Sequence, residues 1–278
     1  MTIINTNVNA QFAQTALTVN ARVQATAMQQ LSTGKRINSA KDDAAGLAMT
    51  ETMTSQIRGL NMAVRNANDG ISLLQTAEGA MVEQSNMLQR MRELAVQASS
   101  DTVTTTDKAS IDLEFQALLS EVDRIGGNTQ WNGQNVLDAS GGVSTDGTYV
   151  FQVGANESDS ISVAVGDMSS TGALSDIASQ VVTDSASAGS AITAIDSAIS
   201  AMATQRATLG AGMNQLTYAA DNLANVAQNA TESRSRILDT DYATATTALS
   251  RSQIISQAAT AMLAQANQQQ QSVLALLK

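Results

Sequence analysis

Residues 44–98 read AAGLAMTETMTSQIRGLNMAVRNANDGISLLQTAEGAMVEQSNMLQRMRELAVQA and carry apolar residues at alternating spacings of four and three. Nine of the eleven positions at this spacing are apolar, which is typical of a coiled-coil seam with two polar interruptions, Glu78 and Ser85. A single helix cannot bury such a seam within itself, so the pattern predicts partner helices. The eleven positions are Met53, Ile57, Leu60, Val64, Ala67, Ile71, Leu74, Glu78, Met81, Ser85 and Leu88.

Two other segments repeat this spacing and can provide the partners. The first follows the polar stretch SSDTVTTTD, and we expect Gly126 and Gly127 to end its helix as a C-cap; its seam is Ile111, Phe115, Leu118, Val122 and Ile125. The second seam is Ile192, Ile195, Ile199, Met202, Arg206, Leu209, Met213, Leu216, Ala220, Leu223, Ala227, Ala230, Arg234 and Ile237. The sequence therefore predicts a mainly α fold, an elongated coiled-coil-like bundle of long helices. The absence of proline permits such long helices.

A segment of different composition, residues 128–190, interrupts the helical pattern and is rich in Gly, Ser, Thr, Asn and Asp. Within it, YVFQV at 149–153 and ISVAV at 161–165 alternate apolar with polar residues around the turn GANESDS, which predicts a β-hairpin. Residues 141–205 contain no basic residue, which indicates a solvated face; calcium binding is the alternative, but EF-hand spacing is missing. The acidic residues there are Asp146, Glu157, Asp159, Asp167, Asp176, Asp184 and Asp196.

The two ends of the chain are amphipathic but almost uncharged. Residues 1–34 carry only Arg22, and residues 252–277 carry no charge. The apolar residues at helical spacing are Val8, Phe12, Ala16, Val19, Val23 and Ala27 at one end and Leu249, Ala259, Met262, Leu263 and Ala266 at the other. These ends are either weakly stable tails or helices that order inside an assembly. We favour the second, because a tail would have no use for an apolar stripe.

Composition excludes several classes of function. The chain has no cysteine and no histidine, which removes disulfides, thiolate and imidazole metal ligands, and Ser/His or Cys/His nucleophile pairs. A net charge of −10 argues against nucleic acid or an anionic membrane as a partner. The N-terminus lacks the pattern of a Sec-type signal peptide, and no apolar run reaches the length of a membrane span.

Long motifs give the chain a resemblance to the bacterial flagellins. They are INTNVNA at 4–10, LSTGKRINSAKDDAAGLAM at 31–49, LQRMRELAVQAS at 88–99, NTQWNGQNVLD at 128–138, FQVGAN at 151–156, SRSRILDTDYATATTALSRSQIISQA at 233–258 and MLAQANQQQQSVLALL at 262–277. The resemblance covers residues 1–156 and about 190–278. It implies paired terminal helices, residues 1–40 and 241–278, as an inner filament core, and residues 41–240 as an outer helical bundle with a β-hairpin region near 130–190. Only about thirty-five residues follow the hairpin before the last seam, so we expect no separate outer domain.

The same resemblance implies a function. Proteins similar to this chain are exported unfolded by a flagellar type III export apparatus and self-assemble into a hollow extracellular filament for swimming. The partners implied are copies of the same chain, the export apparatus, an export chaperone, the filament cap and the hook-junction proteins. No enzyme activity and no cofactor are implied.

Two groups of residues are candidate contact sites. The segment around Arg90, Arg92 and Leu94, with Glu114 on the next helix, resembles a surface bound by a Toll-like receptor of vertebrate hosts and is also a candidate subunit contact. Ordinary helix-surface charge, including an Arg90–Glu93 pair, is the alternative. The loop with Lys35, Arg36, Lys41, Asp42 and Asp43 is interpreted as a spoke between the inner and outer layers. Its sparse glycines fit a phosphate-binding loop poorly.

Other functions fit less well. A hook–filament junction protein would share the terminal motifs, but the intact LQRMRELAVQ, FQVGAN and DTDYAT blocks favour a filament subunit. An enzyme displayed on a filament would need a metalloprotease motif containing histidine, which this chain cannot form. An adhesin would need an aromatic cluster, whereas the single tryptophan, Trp131, lies inside a flagellin-like motif.

Overall fold

The computed structural model describes residues 6–142 and 146–275, with the side chains of 270–275 left aside. Helices dominate, so the predicted mainly α fold is confirmed. In chain order the elements are α1 (Val8–Thr33), α2 (Ala44–Ala98), α3 (Thr105–Asn128), β1 (Gln130–Trp131), β2 (Gln134–Asn135), β3 (Thr148–Gln152), β4 (Ser160–Ala164), α4 (Ser175–Ala178), α5 (Ser185–Leu238) and α6 (Tyr242–Ala275).

Contacts between residues divide the chain into two compact units. The terminal unit comprises Met1–Ser55 with Asn229–Lys278, and the central unit comprises Gln56–Gln228. Both boundaries lie inside long helices, α2 and α5, rather than at the 40/41 and 240/241 junctions expected for the two filament layers. The layer boundaries therefore stay a prediction.

The central unit is built on the predicted seams. Leu74, Met81 and Leu88 of α2 are fully buried with Leu209 and Leu216 of α5 in one hydrophobic core. Phe115 and Val122 of α3 enter the same core, but its third core position is Leu119, and the expected Leu118 is only half-buried. The polar interruptions of two seams meet, because Arg206 of α5 lies 3.6 Å from the carboxylate of Glu78 on α2.

The end of α3 differs from the prediction. Gly126 and Gly127 do not cap the helix, which continues to Asn128. Gly126 is instead required by a close approach: a Cβ there would lie 2.7 Å from the carbonyl oxygen of Met168. Gln84 holds the same carbonyl by donating from its amide nitrogen at 3.1 Å, and it also donates to the carbonyl of Val122 at 2.9 Å. The glycine pattern thus reflects packing rather than termination.

The predicted β-hairpin is confirmed as β3 and β4, which pair antiparallel from Thr148↔Ala164 to Gln152↔Ser160. It lies on the helices at glycines. A Cβ at Gly70 of α2 would lie 2.8 Å from Phe151, and one at Gly212 of α5 would lie 2.8 Å from Val163. These two helix positions therefore have no side chain because the strands occupy that space.

Three short features of the segment 128–190 were not expected from the sequence. A second antiparallel pair, β1 and β2, closes through Asn132 and Gly133, both at positive φ, as a two-residue hairpin requires. The short helix α4 follows β4, and α5 begins already at Ser185. Asp184 starts α5 by accepting hydrogen bonds from the backbone N–H groups of Ala186 and Ser187.

The terminal unit contains the antiparallel pair of α1 and α6. Asn20 donates to the carbonyl of Ser252 at 2.7 Å, and Asn7 donates to the carbonyl of Ala266 at 3.3 Å. An antiparallel bridge between Lys35 and Asp239 closes the pair at its other end. The inner seam consists of buried and half-buried residues spaced four and three apart: Ala13, Leu17, Asn20, Gln24, Ala27 and Leu31 from α1, and Ala245, Leu249, Ser252, Ser256, Ala259, Leu263 and Ala266 from α6.

Candidate assembly surface

Local capping fixes both helices of the terminal pair. Asn7 begins α1 by accepting from the backbone N–H of Ala10 at 3.0 Å, and Gly34 ends it in the left-handed conformation at φ 69°. Asp241 begins α6 by accepting from the N–H of Ala243 at 2.9 Å and from the hydroxyl of Thr244. The hydrogen bond from Thr244 lowers the pKa of the Asp241 carboxyl, so it is charged where a helix N-terminus favours an anion.

Most of the apolar stripe of α1 lies on the outside of the pair. Val8, Phe12, Val19 and Val23 are 50–78% exposed, whereas Ala27 belongs to the inner seam. On α6, Met262 is also exposed, while Leu249, Ala259, Leu263 and Ala266 lie on the inner seam. Each terminal helix thus has one apolar face that its partner helix covers and a second that nothing described covers.

The second faces meet in a groove of about 950 Å³. Its lining is apolar or hydroxyl-bearing except for Asn20 and one cation, Arg251. The lining residues are Phe12, Thr15, Ala16, Val19, Asn20, Val23, Ala243, Thr244, Thr247, Ala248, Arg251, Ser252 and Ile255. Exposed apolar surface of this kind, continuous along two helices, is typical of an interaction site.

The residues of the expected spoke mainly make contacts within the terminal unit. The guanidinium of Arg36 donates to the carbonyl of Ile237 at 2.7 Å, at the C-terminus of α5 where a cation is favourable. Asp42 accepts from the backbone N–H groups of Asn38 and Ser39, and Asp43 accepts from that of Gly46 at the start of α2. Lys35 forms the bridge with Asp239, while Lys41 is exposed.

The charged residues of the other candidate site lie together on the central unit. Arg90 donates to Glu114 at 2.9 and 3.0 Å and to Glu93 at 3.0 Å. These hydrogen bonds, the one to Glu93 first, raise the pKa of the Arg90 guanidinium. Leu94 does not belong to the surface, because its side chain is 1% exposed and packs in the hydrophobic core with Met91 and Ala95.

One member of this charged surface was not found from the sequence. Asp196 of α5 accepts from Arg92 at 2.6 Å, and this hydrogen bond lowers the pKa of the Asp196 carboxyl. The sequence placed Asp196 in a solvated acidic face, because no basic residue lies near it along the chain. The pair joins α2 and α5, and only the spatial neighbourhood of the two helices reveals it.

Neither a metal centre nor a membrane span is found in the part of the chain that the structure describes. No three or more Asp or Glu side chains there are arranged to hold a metal ion. None of the described helices combines the length and the hydropathy needed to cross a bilayer.

Comparison with known proteins agrees with this architecture at both ends of the chain. The family model of the bacterial flagellin N-terminal helical region matches residues 4–141, and that of the C-terminal helical region matches residues 192–277. The flagellin of Halalkalibacterium halodurans is 45% identical over 276 residues, covering 99% of this chain and all of that protein. The flagellar filament 31.3 kDa core protein of Treponema maltophilum is 40% identical over 285 residues, again covering 99% of this chain and all of that protein.

A solved structure extends the agreement to the fold. The crystal structure of Bacillus cereus flagellin superposes with a TM-score of 0.50 at 33% identity, covering 57% of this chain and 88% of that one. Since two family models together match well over half of the residues and the relatives align end to end, the chain belongs to the bacterial flagellin family.

Proposed function

We propose that this chain is a structural subunit of an extracellular flagellar filament and polymerises with copies of itself through the groove of its terminal helix pair. Flagellins are filament proteins and not enzymes, which agrees with the missing histidine and cysteine. The observation that carries the proposal is the exposed apolar groove between α1 and α6. It is the described surface best suited to a second copy.

The energetics of the groove favour burial in a polymer. Apolar area contributes about 25 cal/mol for each Å² removed from water, and large side chains such as Phe12, Val19 and Ile255 are available for it. Charged groups would oppose burial because they must be desolvated. The two helices carry only Arg22 and Arg251 as charged side chains in the stretches 6–33 and 242–275, so this cost is small.

The layers of the filament follow from the same idea. We assign residues 1–40 and 241–278 to the inner core and residues 41–240 to the outer layer with the hairpin. The support is chemical: the ends have amide and hydroxyl faces without charge, and the charged surfaces lie between them in sequence. Lys35, Arg36, Lys41, Asp42 and Asp43 connect these layers, with Arg36 and Asp43 fixing the neighbouring helix ends.

The remaining partners are proposed from the family resemblance. They are the flagellar type III export apparatus, an export chaperone, the filament cap and the hook-junction proteins. A chain without cysteine can pass unfolded into an oxidising exterior without forming disulfides, and one without proline avoids slow isomerisation when it folds there. We also propose that Arg90, Arg92 and Glu114 form a surface that contacts a neighbouring subunit and, on a free monomer, a Toll-like receptor of a vertebrate host.

A pair of matched substitutions tests the role of the groove. Val19→Glu places a carboxylate in the groove, and Thr18→Glu places the same group one residue away, on an exposed side of α1 that does not line the groove. We expect Val19→Glu to abolish seeded polymerisation, measured by sedimentation, while Thr18→Glu still yields pelletable filaments. Filaments formed by Val19→Glu as readily as by the native chain would refute the proposed use of the groove.

A further inference from the structure

Arg251 is an unusual residue in the groove. It is the only charged side chain among the described residues that line it, and its neighbours there include Val23, Ala248 and Ile255. Within the described parts of the chain, no ion pair or hydrogen bond involves its guanidinium. A cation therefore lies on a surface whose other features favour removal from water.

The terminal segments cannot supply a counter-charge to it. All 25 acidic residues of the chain lie between Asp42 and Asp241, and residues 1–34 and 242–278 contain none. The groove itself therefore has no carboxylate on either wall. An arginine that enters a dry contact needs an acceptor, because an unpaired buried ion is strongly unfavourable.

This limits how two copies can meet at the groove. In a two-fold contact, the groove of one copy would cover the same groove of the other. Two Arg251 side chains would then be enclosed together, and neither groove would provide a carboxylate. A contact with a different surface of the second copy has no such conflict, since residues 42–241 of that copy offer carboxylates.

We propose that Arg251 prevents the groove from pairing with the same groove of a second copy and so directs it to a different surface of that copy. The inference rests on the proposed function for the use of the groove in self-assembly. A contact between two different surfaces leaves one of each free at the ends and continues as an open helical polymer, whereas a two-fold contact closes as a dimer. The charge thus selects the growing arrangement over the closed one.

The test uses the full chain without seeds, with its mass measured by sedimentation equilibrium over a range of concentrations. We expect Arg251→Leu to form a dimer at a concentration at least tenfold lower than any association of the native chain. Arg251→Lys keeps the charge and is expected to behave as the native chain. Arg22→Leu removes the other lone arginine of the pair, which does not line the groove, and is expected to stay monomeric.

A double variant shows whether the dimer uses the groove. Arg251→Leu combined with Val19→Glu should return to a monomer, and circular dichroism checks that each variant is folded. The inference is overturned if Arg251→Leu stays monomeric over the range of the native chain, or if its dimer persists in the double variant. Seeded polymerisation of the native chain and of Val19→Glu is scored separately, so a failure of the proposed function is distinguishable from a failure of this inference.

Discussion

Single side chains of this protein acquire their roles from neighbours that are distant in sequence. Lys108 is an example: it is 7% exposed, although a lysine at the start of a polar helix is expected to be solvated. It lies near Asp184, whose pKa is lowered first by a backbone hydrogen bond from Ser187 and in part by the charge of Lys108. The start of α3 and the start of α5 therefore share a buried cation that no local pattern indicates.

Two adjacent glycines allow a matched prediction at this scale. Gly126→Ala should destabilise the protein by about 1–3 kcal/mol, because its Cβ would be forced against the carbonyl of Met168. Gly127→Ala should stabilise it by about 0.5–1 kcal/mol, because no described heavy atom outside the helix lies within 4 Å and alanine favours the helix. Urea unfolding of the full chain measures both. Equal effects of the two substitutions would mean that the approach of Met168 is not what requires glycine.

Arg90 allows a second prediction. Its ion pairs are about half exposed, so Arg90→Ala should change the free energy of unfolding by at most about 1 kcal/mol. We expect it nonetheless to weaken binding of the free monomer to the host receptor and to impair filament growth. Arg124→Ala, which removes a similar exposed pair with Glu121, is the control. Loss of receptor signalling with unchanged filament growth and motility would refute the shared use of this surface.

At the scale of the elements, heptad spacing was a reliable guide and glycine was not. The long seams were found because each position holds a large apolar residue that only a partner helix can bury, as for Leu74 and Leu216. The end of α3 was wrong, because Gly126 in sequence does not reveal whether it ends a helix or admits Met168. The strands β1 and β2 and the helix α4 are too short for periodicity to show. Leu94 was misplaced because a motif names residues without giving their side of the helix.

The seam itself supports a graded prediction. Leu216→Ala should cost about 2–4 kcal/mol, because Leu216 is fully buried, and Ile71→Ala should cost less, because Ile71 is only half-buried. Leu74→Asp should prevent folding of the bundle, since it would bury an unpaired charge. Thermal circular dichroism follows all three. An unchanged melting temperature for Leu216→Ala would show that the seam assignment is wrong.

At the scale of the whole molecule, acidity should act on stability through several carboxylates together. Asp196, Asp184 and Asp123 have lowered pKa values, mainly through hydrogen bonds from Arg92, Ser187 and Ser170 respectively. Since these values lie below those of the unfolded chain, near about 4, the unfolded state binds more protons in acid. The contribution is complete above that pH and is lost as the pH falls through the folded values.

The corresponding measurement is the melting temperature of the unseeded monomer between pH 7 and pH 2. We expect a constant value down to about pH 4 and a decrease below it. Asp196→Asn, which removes one of the titrating groups, should make the decrease smaller. A melting temperature that does not change between pH 5 and pH 2 would contradict this account.

Truncation tests the division of labour between the two ends and the rest. We expect a chain lacking residues 1–33 and a chain lacking residues 254–278 each to stay soluble and folded but to form no filaments. Each deletion removes one wall of the groove, while the buried core of the central unit is left intact. Circular dichroism and sedimentation after seeding are the readouts. Pelletable filaments from either truncation would show that the terminal pair is dispensable for assembly.

The antiparallel pairing of α1 with α6 also determines when the molecule becomes adhesive. Asn20 and Ser252 are 232 positions apart, so the first helix waits for almost the whole chain before its partner exists. A chain that has only begun to emerge has one wall of the groove and no groove. Such distant closure is slow compared with the formation of local helices. Stickiness is therefore the last property the subunit acquires, and a half-delivered subunit has no competent surface with which to block the growing end.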